Sequence, residues 1–170
     1  MIRFKRWRMM SEAIDLLGQA TSTDAALEIL RERGRGIALA DGVSIVRREG
    51  DEVVYVGEDT ITPLWAGLRL PIRECVSGLA MLERRPIFVA DIHNDSRVPR
   101  NAYLSTFVAS MAVFPIGLGE PVAALGVYWA KAQPIHPDTL ALLDTLTRSA
   151  NATVERLAAA AEIAASRRAG

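Results

Sequence analysis

The stretch from Pro121 to Lys131, "PVAALGVYWAK", limits the possible folds more than any other part of the chain. It reads as a β-strand, yet the set Val122, Ala124, Gly126, Tyr128 and the alternate set Ala123, Leu125, Val127, Trp129 are both largely apolar. Successive side chains on a strand point to opposite faces, so this strand is central and needs cover on each side. Pro121 can stand at its start without losing a ladder hydrogen bond. "ASMAVFPIG", joined to it by the turn "LGE", supplies an antiparallel neighbour.

More strands come earlier. "ADGVSIVRREGDEVVYVGED" predicts a hairpin, with β-branched runs at Val43 to Arg47 and Val53 to Val56 on either side of a glycine turn. Pro63, Gly67 and Pro71 keep the segment from Asp59 to Pro71 irregular, apart from a short strand near Leu68 to Leu70. "ECVSGLAMLERRP" has helical spacing through Val76, Leu79, Ala80 and Leu82 and stops at Pro86. "PIFVADI" is a β run. The polar loop "HNDSRVPRNAYLSTF" follows, with a helical turn near Ala102 to Phe107. A long loop in a compact domain is more often functional than accidental.

Helices predominate at both ends. Trp7, Met10, Ile14 and Leu17 form an apolar stripe from Phe4 to Gly18. A second helix restarts at "TSTDAALEIL", capped by Ser22 or Thr23 and aided by Asp24 at its positive end. From Pro137 a single long helix runs to the end. Leu140, Thr147, Val154 and Ala161 form one heptad position, and Leu143, Ala150, Leu157 and Ala164 the other. This seam extends past what one sheet needs, which favours a dimer helix over a monomeric packing helix. The expected division is an N-terminal helix at 1–21, a core at 22–135 and a C-terminal dimerisation or signalling helix at 136–170.

Lys plus Arg and Asp plus Glu each number 20, so no global field attracts nucleic acid, and none is expected as a partner. "MIRFKRWRMM" is a local exception. It reads either as a solvated helix start packing on the domain or a second subunit, or as a contact with a membrane surface or nucleic acid. Ser11, Glu12 and Asp15 interrupt it at once, so neither a signal peptide nor a membrane span is expected, and a cytoplasmic location is. With one cysteine, the chain has no internal disulfide or multi-cysteine zinc or redox site. No glycine-rich phosphate loop, kinase signature or serine-histidine-acid arrangement is found, and the expectation is a non-enzyme.

Several short motifs occur together in the second half. They are Gly78, then Pro86 with Val89, Asp91 and Ile92, then Asp95, Arg97 and Pro99, then Ser110, Pro115 and Ile116, and finally Gly126, Val127 and Tyr128. In this order they resemble the GAF domains of bacterial sensor histidine kinases and phytochrome-related sensors, over about Ser22 to Leu157. The resemblance implies an α+β, GAF-like and PAS-related fold. Its central antiparallel sheet would carry helices on one face, with long N- and C-terminal helices, and a pocket roofed by the long loop on the other. Such relatives bind cyclic nucleotides, linear tetrapyrroles, haem or other small molecules, and many have no known ligand. The resemblance further implies a stand-alone sensory or regulatory module in bacterial, two-component-type signal transduction. It would be a homodimer through its terminal helices, signalling to a sensor kinase or other protein in trans, with an unknown small-molecule ligand. A ligand-free dimerisation scaffold and a small redox enzyme on the same fold are the alternatives.

The candidate ligand-binding residues are Cys75, Phe88, Asp91, His93, Tyr103, Phe107, Met111 and Trp129. Cys75, with a helix start and Arg73 nearby to lower its pKa, is either a reactive, ligand-contacting thiol or a small packed side chain, and the residue type favours packing. Bilin-binding relatives attach the chromophore after the "D-I" strand, and His93 to Phe107 contains no cysteine, so covalent bilin is not expected. His93 is the one candidate ligand for a haem iron, whereas His136 reads as a helix cap. Asp91 either orients a ligand nitrogen or caps local amides. Phe88, Tyr103, Phe107, Met111 and Trp129 are pocket-wall or core residues. The spaced Asn, Lys, Phe, Asp and Glu set of the cyclic-nucleotide relatives is missing, and a thiol-based reductase would need at least a second cysteine.

Overall fold

In the computed structural model, which describes residues 1–170, strands form at Gly42–Glu49 (β1), Glu52–Thr60 (β2), Arg69–Pro71 (β3), Ile87–Val89 (β4), Ser110–Ile116 (β5) and Ala123–Trp129 (β6). They make one antiparallel sheet in the order β3-β2-β1-β6-β5-β4. β6 is internal, as its two apolar faces demand, with Ser44 opposite Gly126 and Ile45 opposite Leu125. The β1–β2 hairpin turns at Gly50, whose φ of 65° suits glycine. The register slips between Ile45 and Val46, leaving Val56 unpaired on β2.

Three helices cover one face: Ile2–Gln19 (α1), Thr23–Ala38 (α2) and Pro137–Ala169 (α4). Ser22 caps α2, its hydroxyl accepting from the Ala25 amide at 3.0 Å, and His136 Nδ1 caps α4 by accepting from the Asp138 amide at 3.1 Å. α1 and α4 run parallel, since Arg6 meets Thr139 near both starts and Leu17 meets Thr153 farther along. The apolar layer between helices and sheet joins Leu17, Leu30, Ile37 and Leu143 to Val43, Ile45, Phe114 and Leu125.

The buried stripe of α1 differs from the expected one. Arg6, Met10, Ala13 and Leu17 face inward, while Trp7 is exposed and Ile14 only half-buried. Close packing against α2 and α4 favours small Ala13, and Arg6 enters because its head is satisfied. Its Nε donates to the Ile37 carbonyl at 2.8 Å and its Nη2 to Thr139 Oγ1 at 2.6 Å. The predicted seam of α4 is also partly used within the chain: Leu143, Thr147, Ala150 and Val154 are buried against their own domain.

A fourth helix, Val76–Glu83 (α3), lies on the opposite face with the loops. The long loop is ordered by local bonds. Arg97 pairs with Asp95 and donates to the Phe88 carbonyl at 2.7 Å, closing the open edge of β4. The helical turn expected at Ala102 to Phe107 forms at Arg100–Ala102.

Candidate functional site

Between the sheet and the loop layer, four aromatic rings from four different elements meet. Tyr55 comes from β2, Tyr128 from β6, Tyr103 from the long loop and Trp65 from the irregular segment after β2. Trp65 stands at the centre, with centroids 5.6 Å from Tyr55, 4.9 Å from Tyr103 and 5.2 Å from Tyr128, in tilted and edge-on contacts that aromatic quadrupoles prefer. Backbone bonds hold it there. The Glu58 carboxylate accepts from the Leu64 and Trp65 amides at 3.2 Å, and the indole N–H donates to the Ala102 carbonyl at 3.1 Å, tying this segment to the long loop.

Tyr128 extends back along its own strand over Gly126, and its hydroxyl meets Ser44 Oγ at 2.7 Å. A methyl at Gly126 would stand 2.7 Å from Tyr128 Cζ and 2.8 Å from Ser44 Oγ, so only glycine leaves room for the ring. Burial holds the Tyr55, Tyr103 and Tyr128 phenols above their ordinary value, so all three are neutral and act as apolar mass with a polar tip. No buried side-chain nitrogen or oxygen lacks a partner. The region that the resemblance assigns to a ligand is therefore packed with the chain's own side chains.

Cys75 lies at the edge of this cluster and does the work of an N-cap. Its Sγ accepts from the Gly78 amide at 3.2 Å, and the residue is only 6% exposed. Burial raises the thiol pKa, opposed by the bonds from the Gly78 amide and Tyr55. Desolvation thus outweighs the lowering expected from the helix start. Gly78 is needed beside it, because a methyl there would overlap the Ile72 carbonyl, whose carbon is 2.6 Å from the ideal Cβ position.

The other candidate residues are scattered. Tyr103 and Met111 are buried on the loop side, where the phenol hydroxyl lies 3.9 Å from Met111 Sδ, and half-buried Phe107 packs beside them. Phe88 and Trp129 point to the helix side. Phe88 is 39% exposed and meets Phe114 edge-on at 5.9 Å, and the Trp129 indole donates to the Leu39 carbonyl at 3.2 Å. The reason is alternation: Ile87 and Val89 take the loop side of β4, and Tyr128 takes that side of β6. Asp91 is partly exposed and caps the turn after β4, accepting from the His93 amide at 2.9 Å and from Asn94 Nδ2 at 2.7 Å. The His93 amide bond is the main cause that holds its carboxyl below the ordinary value. His93 is exposed as well, and its carbonyl accepts from Arg100 Nη2 at 2.8 Å. No group of three His, Cys, Asp or Glu side chains converges to hold a metal.

Sequence reasoning missed Tyr55, Trp65, Ser44 and Glu58, and used Tyr128 only as part of a motif. Alternation in "EVVYVG" puts Tyr55 on the same face as buried Val53, a usable signal. Nothing local in "TITPLWAGL" tells that its tryptophan turns inward. The main opening near Cys75 is a surface groove of about 470 Å³ whose walls include Leu70, Arg73, Leu79, Arg97 and Asn101.

The family model described as "GAF domain" matches residues 19–155. No curated protein sequence matches the chain. Among solved structures, it is similar to the GAF domain of an Acinetobacter phosphoenolpyruvate-protein phosphotransferase, with 14% identity, 93% of this chain and 98% of that chain covered, and a TM-score of 0.71. It is similar also to the free methionine-R-sulfoxide reductase of Neisseria meningitidis, solved with its substrate, at 16% identity, 91% of each chain and TM-score 0.75. A third likeness is the chromophore-binding domain of an unusual bacteriophytochrome from R. palustris, at 12% identity, 91% of this chain, 61% of that chain and TM-score 0.73. At these identities the structural likenesses speak for the fold alone.

Proposed function

Because the chain belongs to the GAF domain family, we propose that it is a sensory or regulatory module acting through protein contacts of its helix layer. The observation that carries this reading is the projection of α4. Its last buried residue is Val154, yet the helix continues to Ala169, about 22 Å further at 1.5 Å per residue. A helix of that length has no role in covering its own sheet. Leu157, Ala161 and Ala164 remain on the seam for a second copy of the chain, and a change in their packing is the signal passed to a partner such as a sensor kinase in trans.

The aromatic packing between sheet and loops supports the contact mode over a preformed ligand chamber. A small molecule that did act here would have to displace part of the Trp65 cluster and bind two dimer arrangements unequally. Chromophore binding, known for the bacteriophytochrome relative, gains nothing from Cys75, which caps a helix, or from exposed His93. Reductase activity is likewise disfavoured. Thiol reduction of a sulfoxide ends in a disulfide, and the buried Cys75 thiol has no second cysteine in the chain to resolve it.

Multi-angle light scattering over a concentration series tests the reading. A concentration-dependent dimer is expected, and deleting residues 158–170 should yield the monomer. A full-length chain that stays monomeric at several hundred micromolar refutes the dimer contact. Native mass spectrometry should give the mass of protein alone. A retained small molecule, or turnover of free methionine sulfoxide with added thiol, would replace the contact reading with a ligand or enzyme one.

A further inference from the structure

At the end of the helix layer opposite the α4 projection, the first two turns of α1 expose apolar and cationic side chains together. Ile2 is 68% exposed, Phe4 83% and Trp7 45%, although the rest of α1 buries a continuous stripe. Phe4, Lys5 and Arg8 share the outward surface, and Arg3 is exposed beside them. α1 has no acidic residue before Glu12. Exposed Leu39 and Lys131 lie at the same end, where the Trp129 indole bonds the Leu39 carbonyl. The nearby carboxylates are few and partly engaged: Asp138 is 3.9 Å from Arg3, and Asp41 accepts from the Ala130 amide.

We propose that this patch docks on an anionic lipid surface, with Ile2, Phe4 and Trp7 entering the headgroup boundary and Arg3, Lys5 and Arg8 meeting the acidic headgroups. Aromatic and aliphatic side chains ringed by cations are what an interfacial anchor requires. A second copy of the chain fits poorly, because a two-fold contact pairs each patch with itself and sets three cations against three. Nucleic acid would use the cations but leave Ile2 uncovered. Ser11, Glu12 and Asp15 occupy the outer face beyond the second turn, so α1 meets the bilayer by its start and does not lie flat. The α4 projection then points away from the lipid, free for its partner.

The test is flotation of the full chain with vesicles of phosphatidylcholine containing 30% phosphatidylglycerol, against pure phosphatidylcholine. Binding is expected to the anionic vesicles only and should weaken as salt rises. Each cation near such a surface is worth roughly 1 kcal/mol, or about fivefold, so Arg3→Gln, Lys5→Gln and Arg8→Gln together should weaken binding about a hundredfold. Phe4→Ser with Trp7→Ser should abolish flotation while the far-UV circular dichroism stays that of the parent. Phe4 is 83% exposed and its loss leaves the thermal midpoint unchanged, whereas Trp7, 45% exposed, is partly covered and its loss lowers the midpoint. No flotation, or flotation indifferent to these substitutions, overturns the proposal. So does a loss of dimer mass in the Phe4→Ser, Trp7→Ser variant, which would assign the patch to a second copy. Tighter binding to a duplex or single-stranded oligonucleotide than to the vesicles would assign it to nucleic acid.

Discussion

Gly78→Ala sets two physical effects against each other at one atom. By intrinsic propensity, alanine in a helix is better than glycine by about 1 kcal/mol, so α3 should gain. The tertiary structure opposes it. The new methyl would overlap the Ile72 carbonyl, with 2.6 Å to its carbon and 3.0 Å to Ile72 Cα, both backbone atoms. Relief requires the turn Ile72–Glu74 to shift by on the order of an ångström. That shift strains the Ile72 amide bond to the Asp51 carbonyl, 2.8 Å long, and the Cys75 cap on the Gly78 amide. Overpacking costs about 1–3 kcal/mol and a weakened cap about 1 kcal/mol, so the net is a loss of roughly 1–3 kcal/mol after the propensity gain. For a chain of this size that is a fall in Tm of roughly 2–12 °C. Gly18→Ala is the matched control: Gly18 is helical with nothing within 4 Å of the added methyl, so its Tm should rise slightly. Circular dichroism melts of both variants decide the matter. If Gly78→Ala is as stable as the parent or more so, the close approach of α3 to Ile72 is not a rigid feature of the fold and the steric argument fails.

Tyr128→Phe should cost about 1–3 kcal/mol, because it leaves the buried Ser44 hydroxyl without its partner, and adding Ser44→Ala should recover part of that loss in a double-mutant cycle read by urea unfolding. Purely additive losses would refute the bond. Burial holds the Cys75 thiol and the Tyr55, Tyr103 and Tyr128 phenols above their ordinary values. The native state keeps protons that the unfolded chain releases, so stability is full below about pH 8.5 and falls as pH rises, first through the thiol and then the phenols. Cys75→Ser should flatten the decline between about pH 8 and 9.5 while leaving the phenol part in place; urea midpoints across that range check it, and an unchanged slope would assign the decline elsewhere.

Much of the fold is legible in the one-dimensional pattern. The doubly apolar β6 predicts an internal strand, "EGDE" predicts the β1–β2 turn, and the spacing from Pro137 predicts the long last helix, because each depends on neighbours a few residues apart. Local chemistry even places Cys75 and His136 at helix starts. The candidate site was much less legible. Phe88 and Trp129 look like pocket walls in the sequence, yet they face the helix layer, since a strand apolar on both sides does not say which parity meets which layer.

The sequence by itself therefore determined the secondary structure, the two-sided sheet and the family, all consequences of periodicity, capping and turn chemistry that act within a short stretch of chain. Only the tertiary structure decided what fills the space under the loops. Tyr55, Trp65, Tyr103 and Tyr128 are up to 73 residues apart between Tyr55 and Tyr128, and their meeting depends on sheet register, the Glu58 bonds and the room left by Gly126. It also decided the inward face of α1, where a buried Arg6 displaces Trp7 because two distant acceptors, the Ile37 carbonyl and Thr139, satisfy its guanidinium. Hydrogen bonds and close packing between residues remote in sequence leave no periodic trace.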